Sequence, residues 1–262
     1  MSQGISDNRL LWGDEPTEVN GIPLYPIRME RYMEWLDCKR ALTVRQKTLP
    51  AAYAILPYLS ALYAMDFDTK GATGFMAQIV RLLAMATQQP VETFEIRCDS
   101  ADMRKLTAIV CQSPALTFRI EPSQFAKFRI VLAQQNGADL PDEAQNPELV
   151  EAENDIAEQN NVPLKADVND LLASVAYQCH VRLRDIAEWS IREFEAMRRA
   201  IDRDKRFAIC AQTEAAGGKY KGGNPCPSWC FDRERQGHHR ESLSGFSERT
   251  GMNANVPANK PS

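Results

Sequence analysis

The side chains with the most varied chemistry lie close together near the end of the chain. Cys226 and Cys230, followed by His238 and His239, are thiolates and imidazoles of the kind that hold zinc. Their spacing argues against it. A structural finger has a short gap inside each ligand pair, whereas here the histidines are adjacent and would need an awkward backbone to share one ion. No bound metal is expected, and the plainer reading is small apolar residues beside a polar tail. Just upstream, Gly217-Gly218-Lys219-Tyr220-Lys221-Gly222-Gly223-Asn224 has the glycines and lysines of a phosphate loop. Such a loop needs Ser or Thr directly after its lysine at a helix start, but Tyr220 follows Lys219 and Pro225 blocks a helix. A rigid turn with no cofactor is expected.

Asp185, Glu188, Glu193 and Glu195 could form a carboxylate cluster for acid–base or metal work. They lie opposite an apolar stripe and are interleaved with Arg182, Arg184, Arg192, Arg198 and Arg199, as on the solvated face of an amphipathic helix. His180 follows an apolar stretch and reads as a packed or capping residue. The basic run Arg198, Arg199, Arg203, Lys205, Arg206 is diluted by Asp202 and Asp204, so it makes a poor nucleic-acid groove. The aromatics Tyr220, Trp229 and Phe231, set among Gly and Pro, are large side chains on an irregular segment. They suit either a core or a partner contact. No catalytic residue is assigned, and the chain is not expected to be an enzyme.

The elements that position these residues read as mainly helical. Up to residue 26, glycines and prolines among polar residues suggest an extended arm with one short strand near Ile22 to Tyr25. A first amphipathic helix carries Met29, Met33 and Leu36 to about Leu42. A second, from Pro50 to Met65 with a kink at Pro57, places Ile55, Leu56, Leu59, Leu62 and Tyr63 on one face. Phe75, Ile79, Leu82, Leu83 and Ala86 mark a third, ending before Pro90. Then alternating Phe94, Ile96, Cys98 predicts a strand, and Ser100 can cap a helix through about Val110. Alternating Leu116, Phe118, Ile120 predicts a second strand, leading to a helix from Pro122 with Phe125, Phe128, Val131 and Leu132 on one side.

The expected class is therefore mainly α with a small α+β element: a helical N-terminal part, a minor two-stranded sheet and a helical C-terminal part. The expected organisation is an arm over 1–26, a helical and α+β domain over 27–137, and a linker over 138–146. A C-terminal helical domain over 147–231 and a disordered tail over 232–262 complete it. Within the C-terminal domain, Asn146-Pro147-Glu148 opens an acidic helix and another runs from about Asp167 to Cys179. The strongest periodicity, Ile186, Trp189, Phe194, Met197 and Ile201, begins a long helix that Gly217-Gly218 ends.

Across 262 residues, 44% are hydrophobic, enough for a sizeable core, and 31 Lys and Arg against 35 Asp and Glu give a net charge of −4. No global positive field exists to hold nucleic acid or an anionic membrane. The N-terminus lacks the basic start and apolar run of a signal peptide, and no apolar run reaches membrane-spanning length. A cytosolic location follows, with the seven scattered cysteines reduced and mostly buried. Only three histidines serve acid–base chemistry near neutrality.

Three stretches resemble the tail assembly chaperones of long-tailed bacteriophages, the type associated with the tape-measure protein. Ile22-Pro23-Leu24-Tyr25-Pro26-Ile27-Arg28-Met29, with Tyr32, is similar to that family's short strand entering a first helix. Ile120-Glu121-Pro122-Ser123-Gln124-Phe125, Phe128-Arg129, Gln134-Gln135-Asn136-Gly137, Leu140-Pro141-Asp142-Glu143 and Asn146-Pro147-Glu148 are similar to its central helix and linker. Gly217 to Pro225, then Pro227-Ser228-Trp229, looks like its closing motif. Cys226 and Cys230 depart from the pattern, where plain hydrophobic residues would stand, and the residues after Asp232 have no counterpart.

The resemblance implies a protein that binds the tape-measure protein, keeps it soluble, recruits tail-tube subunits and leaves before the virion is complete, with self-association left open. It would act in the host cytoplasm without a catalytic site. A long apolar helical ruler aggregates when exposed, and helix-in-groove packing can cover it. The groove is expected around Met33, Leu36, Leu59 and Leu62, with Tyr220, Trp229 and Phe231 as further contacts. Two alternatives stay open: a neck or baseplate subunit that remains in the virion, and a small zinc-binding regulator built on the Cys and His residues of the tail.

Overall fold

Asn20 and Gly21 both have positive φ, at 54° and 79°, which is what a two-residue hairpin turn requires. In the computed structural model, which describes residues 15–143, 167–220 and 223–230, this turn joins β1 (Thr17–Val19) to β2 (Ile22–Leu24). The strands are antiparallel, with Val19 opposite Ile22. The expected arm with one short strand is thus a hairpin, and Val19, Ile22 and Leu24 are buried. The chain divides into two compact units, Met1–Arg199 and Ala200–Ser262.

In the first unit, α1 (Tyr32–Cys38) and α2 (Arg40–Thr43) follow a 3-10 turn at Met29–Arg31. The expected second helix is two: α3 (Ala51–Ala54) stops before Pro57, and α4 (Tyr58–Asp68) starts after it. Pro57 supplies the extended backbone that precedes a first turn, so it breaks the helix where a kink was expected. Consequently Ile55 is 83% exposed while Leu59 and Leu62 are fully buried. The next helix, α5 (Phe75–Thr87), is buried on nearly every side and packs against α1, α2, α4 and β2. Only Ala77 and Arg81 of this helix are exposed, and an apolar face that takes up most of the circumference suits the centre of a core.

Beyond it, β3 (Phe94–Cys98), β4 (Leu106–Gln112) and β5 (Thr117–Ile120) form an antiparallel sheet in the order β3-β4-β5. The helix expected from Ser100 to Val110 is replaced by β4. The side chains of Asp99 and Asp102 accept the backbone N–H groups of Ala101 (2.9 Å) and Arg104 (3.0 Å), closing tight turns that return the chain. The β-branched Ile109 and Val110 then pair on both sides, giving three strands where two were expected.

Helix α6 (Phe125–Gln135) buries Phe125, Phe128, Val131 and Leu132 as the spacing predicts, although it begins three residues after Pro122. The described part of the expected linker is bonded to the first unit: Glu143 accepts the backbone N–H of Gln46 at 3.1 Å, and Arg45 donates to the Asp142 carbonyl at 3.0 Å. The helix expected from Asn146-Pro147-Glu148 and the expected tail lie outside the described residues. Helix α7 (Val168–Cys179) is capped by Asp167, whose carboxylate accepts the Asn169 N–H at 2.8 Å, and closed by His180 in the left-handed region at φ 55°.

The last long periodic stretch is interrupted. Ile186 lies in a 3-10 turn, Leu183–Glu188, and helix α8 (Ile191–Ala215) starts only at Ile191. Between them the chain is extended because Met29 N–H donates to the Trp189 carbonyl (2.8 Å) and Ile191 N–H to the Ile27 carbonyl (2.9 Å), forming an isolated antiparallel bridge at Arg28 and Ser190. In the second unit α8 ends before Gly217, at φ 87°, and Gly218 N–H returns to the Thr213 carbonyl at 2.8 Å. A Cβ on Gly218 would stand 2.6 Å from Thr213 Cγ2, which only glycine avoids. Among the described residues no helix is long and apolar enough to cross a membrane.

Candidate partner-binding surfaces

Pro23 and Pro26 keep Tyr25 to Arg28 extended, leaving backbone groups that something else must pair. Each is taken by a different element. Tyr25 N–H donates to Ala86 O at the end of α5 (2.6 Å), Ile27 N–H to Asn136 Oδ1 (2.9 Å), and Ile27 O receives Ile191 N–H. Gln135 Nε2 donates to Leu24 O (2.8 Å) and to Thr17 Oγ1 (2.9 Å), while Asn136 Nδ2 turns back to Leu132 O (2.8 Å). Both amides are buried. Two stretches that carry the resemblance, Ile22 to Met29 and Gln134 to Gly137, are therefore hydrogen-bonded to each other. Beside them, Pro26, Arg28, Arg31, Met85 and Gln88 line a shallow cavity of about 330 Å³.

The apolar residues expected to contact a partner separate by accessibility. Met33 is 58% exposed on α1 and Leu36 is half-buried. Leu59 and Leu62, fully buried on α4, belong to the internal core and offer nothing to solvent. Helical spacing identifies an apolar face without saying whether the chain's own elements cover it. In the second unit Trp229 is 63% exposed, and Tyr220 is half-buried. Phe231 lies outside the described residues.

A second exposed apolar region went unnoticed in the periodicity. Tyr63 and Phe67 on α4 approach with ring centroids 6.4 Å apart, and the Tyr63 hydroxyl donates to the Met103 carbonyl at 2.7 Å. Phe67 and Met103 are both exposed, and so is Ile96 on β3. The turn that brings Met103 to α4 lies in the stretch where the sequence predicts a helix from Ser100, and no local spacing links it to α4. Its rim is polar: Asp68 accepts from Tyr53 (2.8 Å) and from Arg104 (2.6 Å).

Several of the charged candidates are engaged within the chain. Glu195 receives Arg198 at 2.7 Å and the Tyr32 hydroxyl at 3.2 Å, and Tyr32 also meets Phe194 edge-on. Burial, then the Glu195 charge, pushes the Tyr32 phenol up to about 12. Asp185 accepts the Arg182 N–H at 3.3 Å, and Glu188 offers its carbonyl to Arg28 at 3.1 Å. Of the basic run, Arg199 faces Asp139 (3.3 Å), Arg206 faces Asp202 (2.9 Å) and Arg203 donates to Cys230 O (2.9 Å). Cys226 N–H is held by Asn224 Oδ1 at 2.8 Å. Among the described residues no group of three or more His, Cys, Asp or Glu is placed to hold a metal ion, and His238 and His239 lie outside them.

Comparison of the chain with protein-family models, with curated proteins and with solved structures finds no match in any of the three.

Proposed function

We propose that this chain is a tail assembly chaperone of the long-tailed bacteriophage type, which binds the tape-measure protein in the host cytoplasm, keeps it soluble and recruits tail-tube subunits. The observation that carries the reading is the bonding of Ile27 to Asn136, with Gln135 to Leu24 beside it, which makes one structural unit of two stretches that resemble that family. Such a chaperone works by covering apolar surface and needs no catalytic group or cofactor. Exposed Met33 and Trp229 supply apolar side chains to lie against a long helix, and Leu59 and Leu62 support α4 from within.

Co-expression with the longest coiled-coil-rich protein encoded nearby tests the reading. A tape-measure protein that is soluble only in complex, with many copies of this chain per ruler, is the expected result. M33D and W229A should each reduce co-purification without altering the chain's own melting. If the two proteins do not associate while this chain alone builds a stable ring, it is a neck or baseplate component instead.

A further inference from the structure

An edge strand offers a row of unpaired backbone groups, and proteins that must stay apart guard such edges with charged side chains, Lys above all, with Pro, or with bulges and short strands. The order β3-β4-β5 makes β3 an edge, and Phe94-Glu95-Ile96-Arg97-Cys98 contains neither Lys nor Pro. Its only irregularity, the register shift between Arg97 and Cys98, lies in its pairing with β4. The middle of the strand is open, with Ile96 40% exposed and the flanking Glu95 and Arg97 side chains exposed too. Ile96 is therefore an apolar residue, between two charges, on an edge that carries neither Lys nor Pro.

The strand is also complementary to itself. An antiparallel copy related by a two-fold axis at Ile96 sets Ile96 against the partner's Ile96, Glu95 against the partner's Arg97, and Arg97 against the partner's Glu95. Directly opposed residues on antiparallel strands stand about 4.5–5.5 Å apart at Cα, so both ion pairs cross the boundary on one face. Glu95 and Arg97 already meet at 3.1 Å within the strand, so their charged heads share that face. On the other face Phe94 would lie against the partner's Cys98, with Ile96 between them. Backbone pairing, charge and apolar surface thus favour the same register.

We infer that the chain forms a symmetric homodimer in which β3 pairs with β3 of a second copy, joining the two three-stranded sheets into one six-stranded sheet. This stands independently of the chaperone reading, because it uses no residue assigned to tape-measure contact. A two-fold contact of this kind closes on itself and leaves β5 as the outer edge of each half.

Sedimentation of the full chain over a concentration series, without any other protein, tests it. The wild type should show a dimer of the 29.5 kDa chain. E95R and R97E should each weaken dimerisation by at least about tenfold, since like charges then meet twice across the axis, and the double variant E95R/R97E should restore it. As a second measurement, I96C treated with diamide should yield a 96-to-96 disulfide identified by mass spectrometry of the linked peptides. Directly opposed strand positions meet the Cα separation that a disulfide needs. A monomer at every concentration with no 96-to-96 link overturns the inference. So does a dimer that both single reversals leave intact. Protection of residues 94–98 from hydrogen exchange that appears only when a tail protein is added would give the edge to that protein instead.

Discussion

The Asn136 carboxamide closes on the main chain of Ile27, 109 residues earlier, accepting its N–H at 2.9 Å while donating to Leu132 one turn back on its own helix. Asn136 is 1% exposed, so neither bond is open to replacement by water. This one amide couples the end of α6 to the extended segment that α5 and α8 also grip, and it is where the N-terminal residues acquire a fixed place in the fold.

N136A should therefore leave the Ile27 N–H buried and unpaired, at a cost of about 1–3 kcal/mol. Urea unfolding measures the loss, and amide exchange at Ile27 should accelerate more than at residues within α5. An unchanged midpoint would show that water reaches Ile27 after all.

Arg129 holds α6 to the end of α2 and the residue after it through two carbonyls, Leu42 O at 2.8 Å and Val44 O at 3.1 Å, with its guanidinium 3.8 Å above the Tyr58 ring. Lysine keeps the charge but cannot present two planar N–H groups while stacking. R129K should destabilise the first unit by about 1–3 kcal/mol in chemical denaturation, and R129M by a similar amount, since geometry and not charge is what is lost.

Asp66, on α4, caps the start of α5: its carboxylate receives the backbone N–H groups of Phe75 (3.2 Å) and Met76 (2.6 Å) and the Thr73 hydroxyl. α5 is the central helix, so losing its cap is felt by the whole first unit. D66A should lower stability by about 2 kcal/mol, at the upper end for a capping residue, and D66N by less because its one carbonyl oxygen can still accept. Thermal melts of the two variants in parallel check the order.

Alkaline pH should weaken the fold through two buried phenols. Burial pushes Tyr58 up to about 12 against the pull of the Arg129 guanidinium, and Tyr32 up to about 12 by burial and the Glu195 charge. Each is raised above the ordinary tyrosine value of about 10, so its contribution is complete below pH 10 and is lost as pH climbs from about 10 toward 12. The loss should be up to about 1.4 kcal/mol per pH unit for each group. Stability measured from pH 8 to 11.5 should fall steeply above 10. In Y32F the fall should be shallower, even though the variant starts lower for want of the Glu195 bond at 3.2 Å.

Several elements follow from local order alone. The apolar spacing of Phe75 to Ala86 is that of α5, the alternation at Phe94, Ile96, Cys98 and at Phe118, Ile120 is that of β3 and β5, and Gly217-Gly218 ends α8. In each case a residue's neighbours along the chain are also the neighbours that decide its conformation. The Asn20-Gly21 hairpin is written just as locally, in two residues that tolerate positive φ, although the glycines and prolines around it suggest a single strand.

Other features were decided by residues far away in the chain. The capping potential of Ser100 lost to β4 because Ile109 and Val110 find β3 on one side and β5 on the other. The long periodic stretch from Ile186 breaks at Trp189 because Ile27 and Met29 claim its backbone. Leu59 and Met33 look alike in periodicity, yet one is fully buried and the other 58% exposed. Spacing determines which side of an element is apolar, since that depends only on the geometry of one helix or strand. What covers that side, and which distant carbonyl or carboxamide completes a backbone group, depends on how the elements pack, and only the tertiary structure decides it.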